Sequence, residues 1–530
     1  MKYCLGVDVG SGSVRAALFS VTGERKGVSS KKIRIRKPET DFVEQSSSDI
    51  WANLCSAVKD VVGQSGVCIE DIVSVGFDAT CSLVVVDNEG NPVSVNKDND
   101  DQWNIIMWMD HRAMKEAEDI NDTRHEVLKY VGGKISPEMQ IPKVLWLKKN
   151  LPERYNRVAQ FFDLADFLQY KSTGVNIRSS CTLACKWTYL AHENRWDKSF
   201  FEELGLQDLL EENELGRNKI GNHVQAPGTR AGGLTKEAAA QLGLSVNTCV
   251  SIGLIDAHAG GVGSLIETAV DSLVIVAGTS ACHMLNSETP VFIPGVWGPY
   301  YNAMIPDLWL NEGGQSAYGS LLDYVLRNHS FYAQIAKEFF SDESVFNILN
   351  GEVGRLRSKD PDSIKDVHVL DYHHGNRSPH ADPKPRGMIV GLDMSENLES
   401  LAKIYWATIQ SICFGTKYIM DKAKEHGYHI ESVIVCGGVV KNSLYLQELA
   451  NICECDIFVA GQDEAVLFGS ALISTIAAGI YPDYKTALNR MAKRGDVIRP
   501  LKHTHQYYRK KYEVYLKMFN DQLSYEHIMD

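Results

Sequence analysis

The sequence predicts an α/β protein of two large lobes. Three observations carry this expectation. The chain has 530 residues, too many for one ordinary core when domains average roughly 150 residues. Strand-like and helix-like segments alternate from end to end, the order expected of α/β layers. A strand–turn–strand unit with a Gly/Ser/Thr turn occurs at Gly10 and again at Gly278, about half the chain apart, so the lobes share a similar plan. Their expected extents are residues 1–265 and 266–530.

Taken in order, Leu5–Val9 and Ser13–Phe19 are apolar runs flanking a Gly/Ser turn, a hairpin pattern. A turn over Val21–Glu24 and a polar strand over Lys31–Arg36 follow. Glu44, Gln45 and Asp49 open a predicted helix that runs through Val62, with Trp51, Leu54, Cys55 and Val58 at helical spacing. Ile72–Phe77 reads as a buried strand, Asp78–Ser82 as a polar turn, Leu83–Val86 as a strand, and Asn88–Gly90 as its closing turn. In the second half, Leu273–Ala277 and Ala281–Leu285 flank Gly278-Thr279-Ser280. Ile430–Val435 is a strand ending in Cys436-Gly437-Gly438, with a helix from Asn442. Asp360-Pro361 and the stretch from Ser378-Pro379 to Lys384-Pro385 read as loops, and a charged helix starts at His505.

Ala465–Pro482 carries no charge and is about as long as a membrane span. It contains Gly469, Ser470, Ser474, Thr475 and Gly479, so the expectation is a helix enclosed within the α/β protein.

With 44% apolar and 23% charged residues the composition is that of a globular protein, and the net charge is −13. That balance argues against a general nucleic-acid binder or an acidic-membrane binder, since nothing offsets phosphate repulsion. A nucleotide needs only a local pocket. Asp8 falls where a signal peptide needs its apolar run, so a cytoplasmic location is expected. The twelve cysteines include Cys181-x3-Cys185 and Cys453-x-Cys455 but no Cys-x2-Cys pair. They read as buried reduced thiols, with neither a disulfide scaffold nor a zinc site expected.

Three Gly-containing turns end strands: Gly10-Ser11-Gly12-Ser13, Gly278-Thr279-Ser280 and Gly437-Gly438. Glycine lets backbone amides approach an anion, and hydroxyls add donors. A dinucleotide fingerprint is absent, because Arg15 stands where its third glycine would be and a strand-like run follows. The Walker pattern is absent too. Asp8, just before the first turn, either caps that turn or holds the waters of a hydrated Mg²⁺ beside a phosphate. Asp256, in Gly253-Leu-Ile-Asp256-Ala-His258-Ala-Gly260-Gly261, lies at a strand's carboxyl end. It reads equally as a base for an attacking hydroxyl and as a helix N-cap.

The residues resemble the FGGY carbohydrate kinases over nearly the whole chain. The resemblance rests on the Asp8–Arg15 loop, Trp108-Met-Asp110-His-Arg112, Lys143-Val-Leu-Trp146-Leu-Lys-Lys-Asn150, Asp256, Gly278-Thr-Ser280, the segment from Gly387 to Gln410, and Gly437-Gly438 with Asn442. It implies the actin/hexokinase/Hsp70-type ATPase fold, with duplicated ribonuclease-H-like domains around a cleft.

It further implies Asp256 as general base toward a terminal sugar hydroxyl, with Asp8 and Asp256 placing Mg²⁺ through water. Gly10, Ser11, Ser13 and Arg15 would line the first phosphate loop, Gly278 and Thr279 the second, and Gly437, Gly438 and Asn442 the adenosine side. Trp108 and Asp110 resemble the ribulokinase branch, as do Lys186 beside a ketose carbonyl and Glu312. Thr80-Cys81-Ser82 resembles the branch acting on D-ribulose. Each has a plainer structural reading: Trp108 as core, Lys186 as a solvated residue, Glu312 as a cap, Cys81 as a buried thiol. The expectation is an ATP- and Mg²⁺-dependent pentulose kinase, D-ribulose first, with L-ribulose or D-xylulose as rivals and a homodimer as the common assembly. The rival of another class is a non-catalytic, chaperone-like ATP-binding protein.

Overall fold

The predicted amino-terminal hairpin forms as β1 (Tyr3–Val9) and β2 (Ser13–Ser20), antiparallel from Tyr3↔Ser20 to Val9↔Val14. The computed structural model describes all residues except 215, 267–268, 339–341, 463 and 530. The polar strand expected over Lys31–Arg36 is instead β3 (Arg25–Lys32). Its register explains the shift: Ser13, the first residue of β2, pairs with Lys32, so the ladder with β2 ends there, and Arg36 instead forms an isolated antiparallel bridge with Glu44.

Glu44 and Gln45, expected to open a helix, form β4 (Glu44–Gln45). The helix runs Ser47–Ser65 because Ser46 caps it, accepting the Asp49 N–H, and Gly66 ends it in the left-handed region. Ile50, Trp51, Leu54, Cys55, Val58, Val61 and Val62 are its buried face, as the spacing predicts. β5 (Ile72–Ala79) extends two residues into the expected polar turn. β6 (Leu83–Val86), β7 (Ile105–Ile106) and β8 (Gln160–Asp163) complete a four-stranded sheet with β4, and β9 (Arg178–Ser179) pairs with β10 (Val224–Gln225).

β11 (Arg230–Gly233) and β12 (Cys249–Ser251) complete the first large sheet, ordered β11-β12-β5-β1-β2-β3, and β13 (Leu254–Ile255) pairs with the end of β5. The second half contributes β14 (Ser272–Ala277), β15 (Ala281–Ser287), β16 (Trp297–Tyr301) and β17 (Trp309–Gln315). A small pair, β18 (His368–Leu370) and β19 (Met388–Val390), follows. β20 (Ser432–Gly437), β21 (Asp456–Ala460) and β22 (Arg494–Ile498) complete the second large sheet, ordered β16-β17-β15-β14-β20-β21-β22. The repeat predicted from two turns is therefore a repeat of whole sheets. Parallel β12, β5 and β1 followed by antiparallel β2 and β3 match parallel β21, β20 and β14 followed by antiparallel β15 and β17. The fold is the two-lobed α/β architecture that the resemblance implies.

The uncharged segment forms the helix Ala465–Ala477, buried along most of its length. Although it belongs to the second half of the sequence, it packs on β1, on β5 and on the helix Asp256–Ser264. Glycines permit the close crossing of the two helices: a Cβ on Gly263 would lie 1.9 Å from the Ala465 carbonyl oxygen, and one on Gly469 would lie 1.9 Å from that of Ala259. Among the described residues no helix is long and apolar enough to cross a membrane.

Candidate active site

Three carboxylates meet where parallel strands of the first sheet end. Asp8 in β1 pairs in register with Asp78 in β5, and Leu254 in β13 also pairs with Asp78. Asp256 follows β13 directly as the first residue of its helix, with Ile255 in the cap position. It is therefore not the N-cap; its Oδ1 accepts the Ala257 N–H at 2.7 Å. Asp8 and Asp78 are buried and Asp256 is partly exposed. Burial, then the charge of Asp8, pushes the Asp256 carboxyl up to about 6. The same two causes, in the same order, push the Asp78 carboxyl well above the usual range.

Asp78 was not singled out in the sequence, although its signature matches that of Asp8: an acid after a buried apolar run. Its Oδ2 accepts the Ser470 hydroxyl at 2.5 Å, while Oδ1 is buried without a hydrogen-bond partner among the described residues. An orphaned carboxylate oxygen among hard oxygen donors fits a hydrated Mg²⁺, with Asp8 and Asp256 as the outer carboxylates.

Arg15 crosses from β2 to Asp8, donating to its Oδ2 through Nε at 2.9 Å and Nη2 at 2.6 Å, and reaches Glu464 at 2.8 Å. The guanidinium thus ties the first turn to the start of the helix Ala465–Ala477. Gly10, Ser11 and Ser13 are partly exposed on that turn, which is closed by the Gly10 N–H to the Ser13 carbonyl at 3.0 Å. Gly278 and Thr279 are exposed on the matching turn, closed by the Gly278 N–H to the Ser280 carbonyl at 2.8 Å. Ala277 pairs with Gly437, so the exposed Gly437-Gly438 turn lies beside the Gly278-Thr279 turn. Gly437 has φ +98°, and a Cβ there would lie 2.0 Å from the Ala277 carbonyl oxygen. Asn442 caps the helix Ser443–Cys453, accepting the Tyr445 N–H at 3.3 Å. Its amide also donates to Tyr405 at 2.7 Å and accepts from Asn350 at 3.1 Å, so both ends are engaged within the fold.

The expected sugar residues part into two groups. Trp108, Lys186, Glu312 and the Thr80–Ser82 turn converge. The Trp108 indole N–H donates to the Ser11 hydroxyl at 3.0 Å, its backbone N–H donates to Ser82 Oγ at 3.2 Å, and Thr80 bonds Ser82 at 3.1 Å. Cys81 is buried, and its carbonyl accepts from Gln140 at 3.2 Å. Lys186 lies over the Trp297 ring at 4.6 Å, as does Arg377 at 4.3 Å. Glu312, in β17, takes an Arg377 N–H at 3.3 Å and faces His258 Nε2 at 3.2 Å. Burial opposes ionisation of Glu312. The His258 contact and the charges of Lys186 and Arg377 outweigh it and hold the carboxyl well below the usual range. Neither Lys186 nor Glu312 has the plainer role considered for it: Lys186 is buried, and Glu312 sits mid-strand.

Asp110 forms the other group: the carboxylate expected to accept sugar hydroxyls is engaged within the fold. It is fully buried, gripped by Arg112 at 2.7–3.0 Å, and accepts the Val43 N–H at 2.6 Å. Arg112 also donates to Glu44 at 2.9 Å. This cluster fixes the loop that carries Trp108, as does buried Lys143, which donates to the Met107 carbonyl at 2.9 Å. Arg377 and Trp297 carry no sequence signal, and His258 stands beside Asp256 with no role marked for it. No local pattern marks them, and only the meeting of distant segments gives them a place.

The chain matches the model of the FGGY family of carbohydrate kinases, N-terminal domain, over residues 3–263, and that of the C-terminal domain over 273–478. It is 45% identical to the FGGY carbohydrate kinase domain-containing protein of Xenopus laevis, over 99% of this chain and 98% of the relative. It is 38% identical to D-ribulokinase YDR109C of Saccharomyces cerevisiae, over 90% of this chain and 72% of that protein. Among solved structures, Plasmodium falciparum glycerol kinase with ADP superposes with a TM-score of 0.80 at 14% identity, covering 98% of both chains.

Proposed function

We propose, from the premise that this chain belongs to the FGGY family of carbohydrate kinases, that it transfers the γ-phosphoryl group of ATP to the terminal hydroxyl of a pentulose, with D-ribulose preferred. The observation that supports the reading is the setting of Asp256: the carboxylate of Asp8 acts on it from the strand-end cluster, and His258 and Lys186 act on it from among the residues expected to meet the sugar. The similarity to a protein named D-ribulokinase supports the choice of sugar.

In this reading Lys186 and Arg377 draw the electron-rich carbonyl end of a ketose, Glu312 accepts a sugar hydroxyl, and the Trp108 ring forms an apolar wall. Asp256 accepts the proton of the terminal hydroxyl as its oxygen attacks phosphorus. Its elevated proton affinity suits it to hold that proton near neutral pH. Phosphoryl transfer needs mainly alignment and charge neutralisation. A Mg²⁺ bound among Asp8, Asp78 and Asp256 supplies neutralisation of phosphate charge. Gly10, Ser11, Ser13, Gly278 and Thr279 offer amides and hydroxyls to phosphate oxygens, and Gly437 and Gly438 leave room for the nucleoside. Closure of the two lobes keeps water from competing with the sugar. All twelve cysteines are free thiols, which suits the reducing cytoplasm.

The test is a coupled ADP-release assay over D-ribulose, L-ribulose, D-xylulose and ribitol. D-Ribulose should give the highest kcat/KM. A higher value for L-ribulose or D-xylulose overturns the specificity, and no sugar-stimulated ADP release overturns the kinase reading.

A further inference from the structure

Cys181 and Cys185 sit four residues apart on the helix Ser180–Trp187, so both sulfurs leave the same helix face. The helix Asp256–Ser264 brings in His258, whose Nδ1 lies 3.1 Å from Cys181 Sγ. The two sulfurs and a ring nitrogen all lie within 4.8 Å of one another, and the three residues are fully buried. A tetrahedral Zn²⁺, with bonds of about 2.3 Å to sulfur and about 2.0 Å to nitrogen, holds such ligand atoms about 3.5–3.8 Å apart. Small rotamer adjustments would bring this cluster to that geometry.

The surroundings are those of a built site. The far ring nitrogen of His258 lies 3.2 Å from Glu312 Oε2. A proton on Nε2 directed at that carboxylate leaves the Nδ1 lone pair facing the sulfurs, the carboxylate–imidazole arrangement that stands behind metal-bound histidines. Glu312 is itself held by Arg377 at 3.3 Å. Cys181 Sγ accepts the Ile255 N–H at 3.4 Å.

We propose that Cys181, Cys185 and His258 bind one thiophilic cation of the Zn²⁺ class, clamping the helix Ser180–Trp187 to the helix Asp256–Ser264 beneath the sugar side of the cleft. The sequence hides this site because one turn of helix supplies the sulfur spacing in place of a Cys-x2-Cys knuckle, and the third ligand comes from a distant segment. The donors are soft sulfur and imidazole, unlike the hard oxygens of Asp8, Asp78 and Asp256, so the two places select different ions. Binding releases the thiol protons to solvent and takes no part in phosphoryl transfer.

The test uses the full chain, reduced and stripped of metal with a chelator, and titrated with Co²⁺ as the spectroscopic probe. One equivalent should develop thiolate-to-cobalt charge-transfer absorption that Zn²⁺ discharges, and the melting temperature should climb with Zn²⁺ concentration. Cys185→Ser should lose most of that absorption and weaken binding at least about tenfold, whereas Cys68→Ser, at the exposed thiol, should match the wild type. No charge-transfer absorption from the wild-type chain at one equivalent overturns the site, as does an unchanged band in Cys185→Ser. The wild-type titration decides alone if Cys185→Ser fails to fold. None of these readouts depends on sugar phosphorylation, so failure of the metal site and failure of the kinase reading are separately visible.

Discussion

The Trp108 indole N–H donates to the Ser11 hydroxyl at 3.0 Å, so the wall proposed for the sugar is tied directly to the first phosphate turn. Trp108→Phe keeps a ring and loses this bond, a net cost of about 1 kcal/mol. The KM for the pentulose is expected to rise roughly fivefold, with kcat nearly unchanged. Trp108→Ala also removes the wall and should raise KM by a further order of magnitude. Steady-state kinetics on both variants check this, and an unchanged KM in Trp108→Ala removes the residue from the sugar subsite.

Asp256 carries the sharpest prediction. Asp256→Asn should lower kcat by about 10²–10⁴-fold while pentulose binding, followed by calorimetry, changes by less than about threefold. Because the base works deprotonated and its carboxyl titrates at about 6, kcat/KM should rise with pH up to about 6 and level off above it. The same shift has a stability consequence of opposite sense. The folded value exceeds the 3.8 of a free aspartate, so the folded state holds the extra proton between about pH 4 and 6 and loses stability as pH rises through that window. In magnesium-free buffer at pH 8, Asp256→Asn should therefore be more stable than the wild type. The gain is at most about 3 kcal/mol, reduced by the partial exposure of the side chain, and it should vanish near pH 4. Urea unfolding at the two pH values measures it.

What could be read from the sequence follows from where the physics is local. Asp8 and Asp256 were legible because an acid that ends an apolar run in a parallel sheet emerges at the strand's carboxyl end. Asp78 has the same signature and was absorbed into a supposed polar turn, since an alternation pattern does not say where a strand stops. The strand Arg25–Lys32 was misplaced because it is a polar outer strand whose extent is set by its neighbour's register. Arg377, His258 and Trp297 acquire meaning only through contacts between distant segments. The motif around Asp110 was visible while its role was not, because that role depends on Glu44 arriving from another strand.

The Asp110–Arg112–Glu44 cluster is fully buried, and its expected contribution is to structure. Arg112→Leu strands two buried carboxylates and should cost about 3–5 kcal/mol, seen as loss of soluble protein or a large fall in melting temperature. Asp110→Asn keeps the Arg112–Glu44 pair and should be milder, about 1.5–3 kcal/mol, with the pentulose KM within about threefold of wild type. A raised KM at an unchanged melting temperature would return Asp110 to the sugar subsite.

The crossing of the helices Asp256–Ser264 and Ala465–Ala477 joins the two halves of the chain. A methyl group on Gly469 would sit 1.9 Å from the Ala259 carbonyl oxygen and 3.0 Å from the Gly263 nitrogen. Both are backbone atoms of a packed helix, so no side chain can swing aside to relieve the clash. Gly469→Ala should therefore destabilise at or above the roughly 1–3 kcal/mol typical of overpacked cores. Separating the helices would also displace Asp256, so kcat should fall in whatever protein remains folded. Gly354→Ala is the matched control, because Gly354 lies in the helix Asp342–Lys359 with nothing within 4 Å of its added Cβ. There helix propensity alone predicts a gain of up to about 1 kcal/mol. Thermal melts of the two variants should shift in opposite directions, and a Gly469→Ala melt that coincides with wild type would show that the two helices do not touch at this residue.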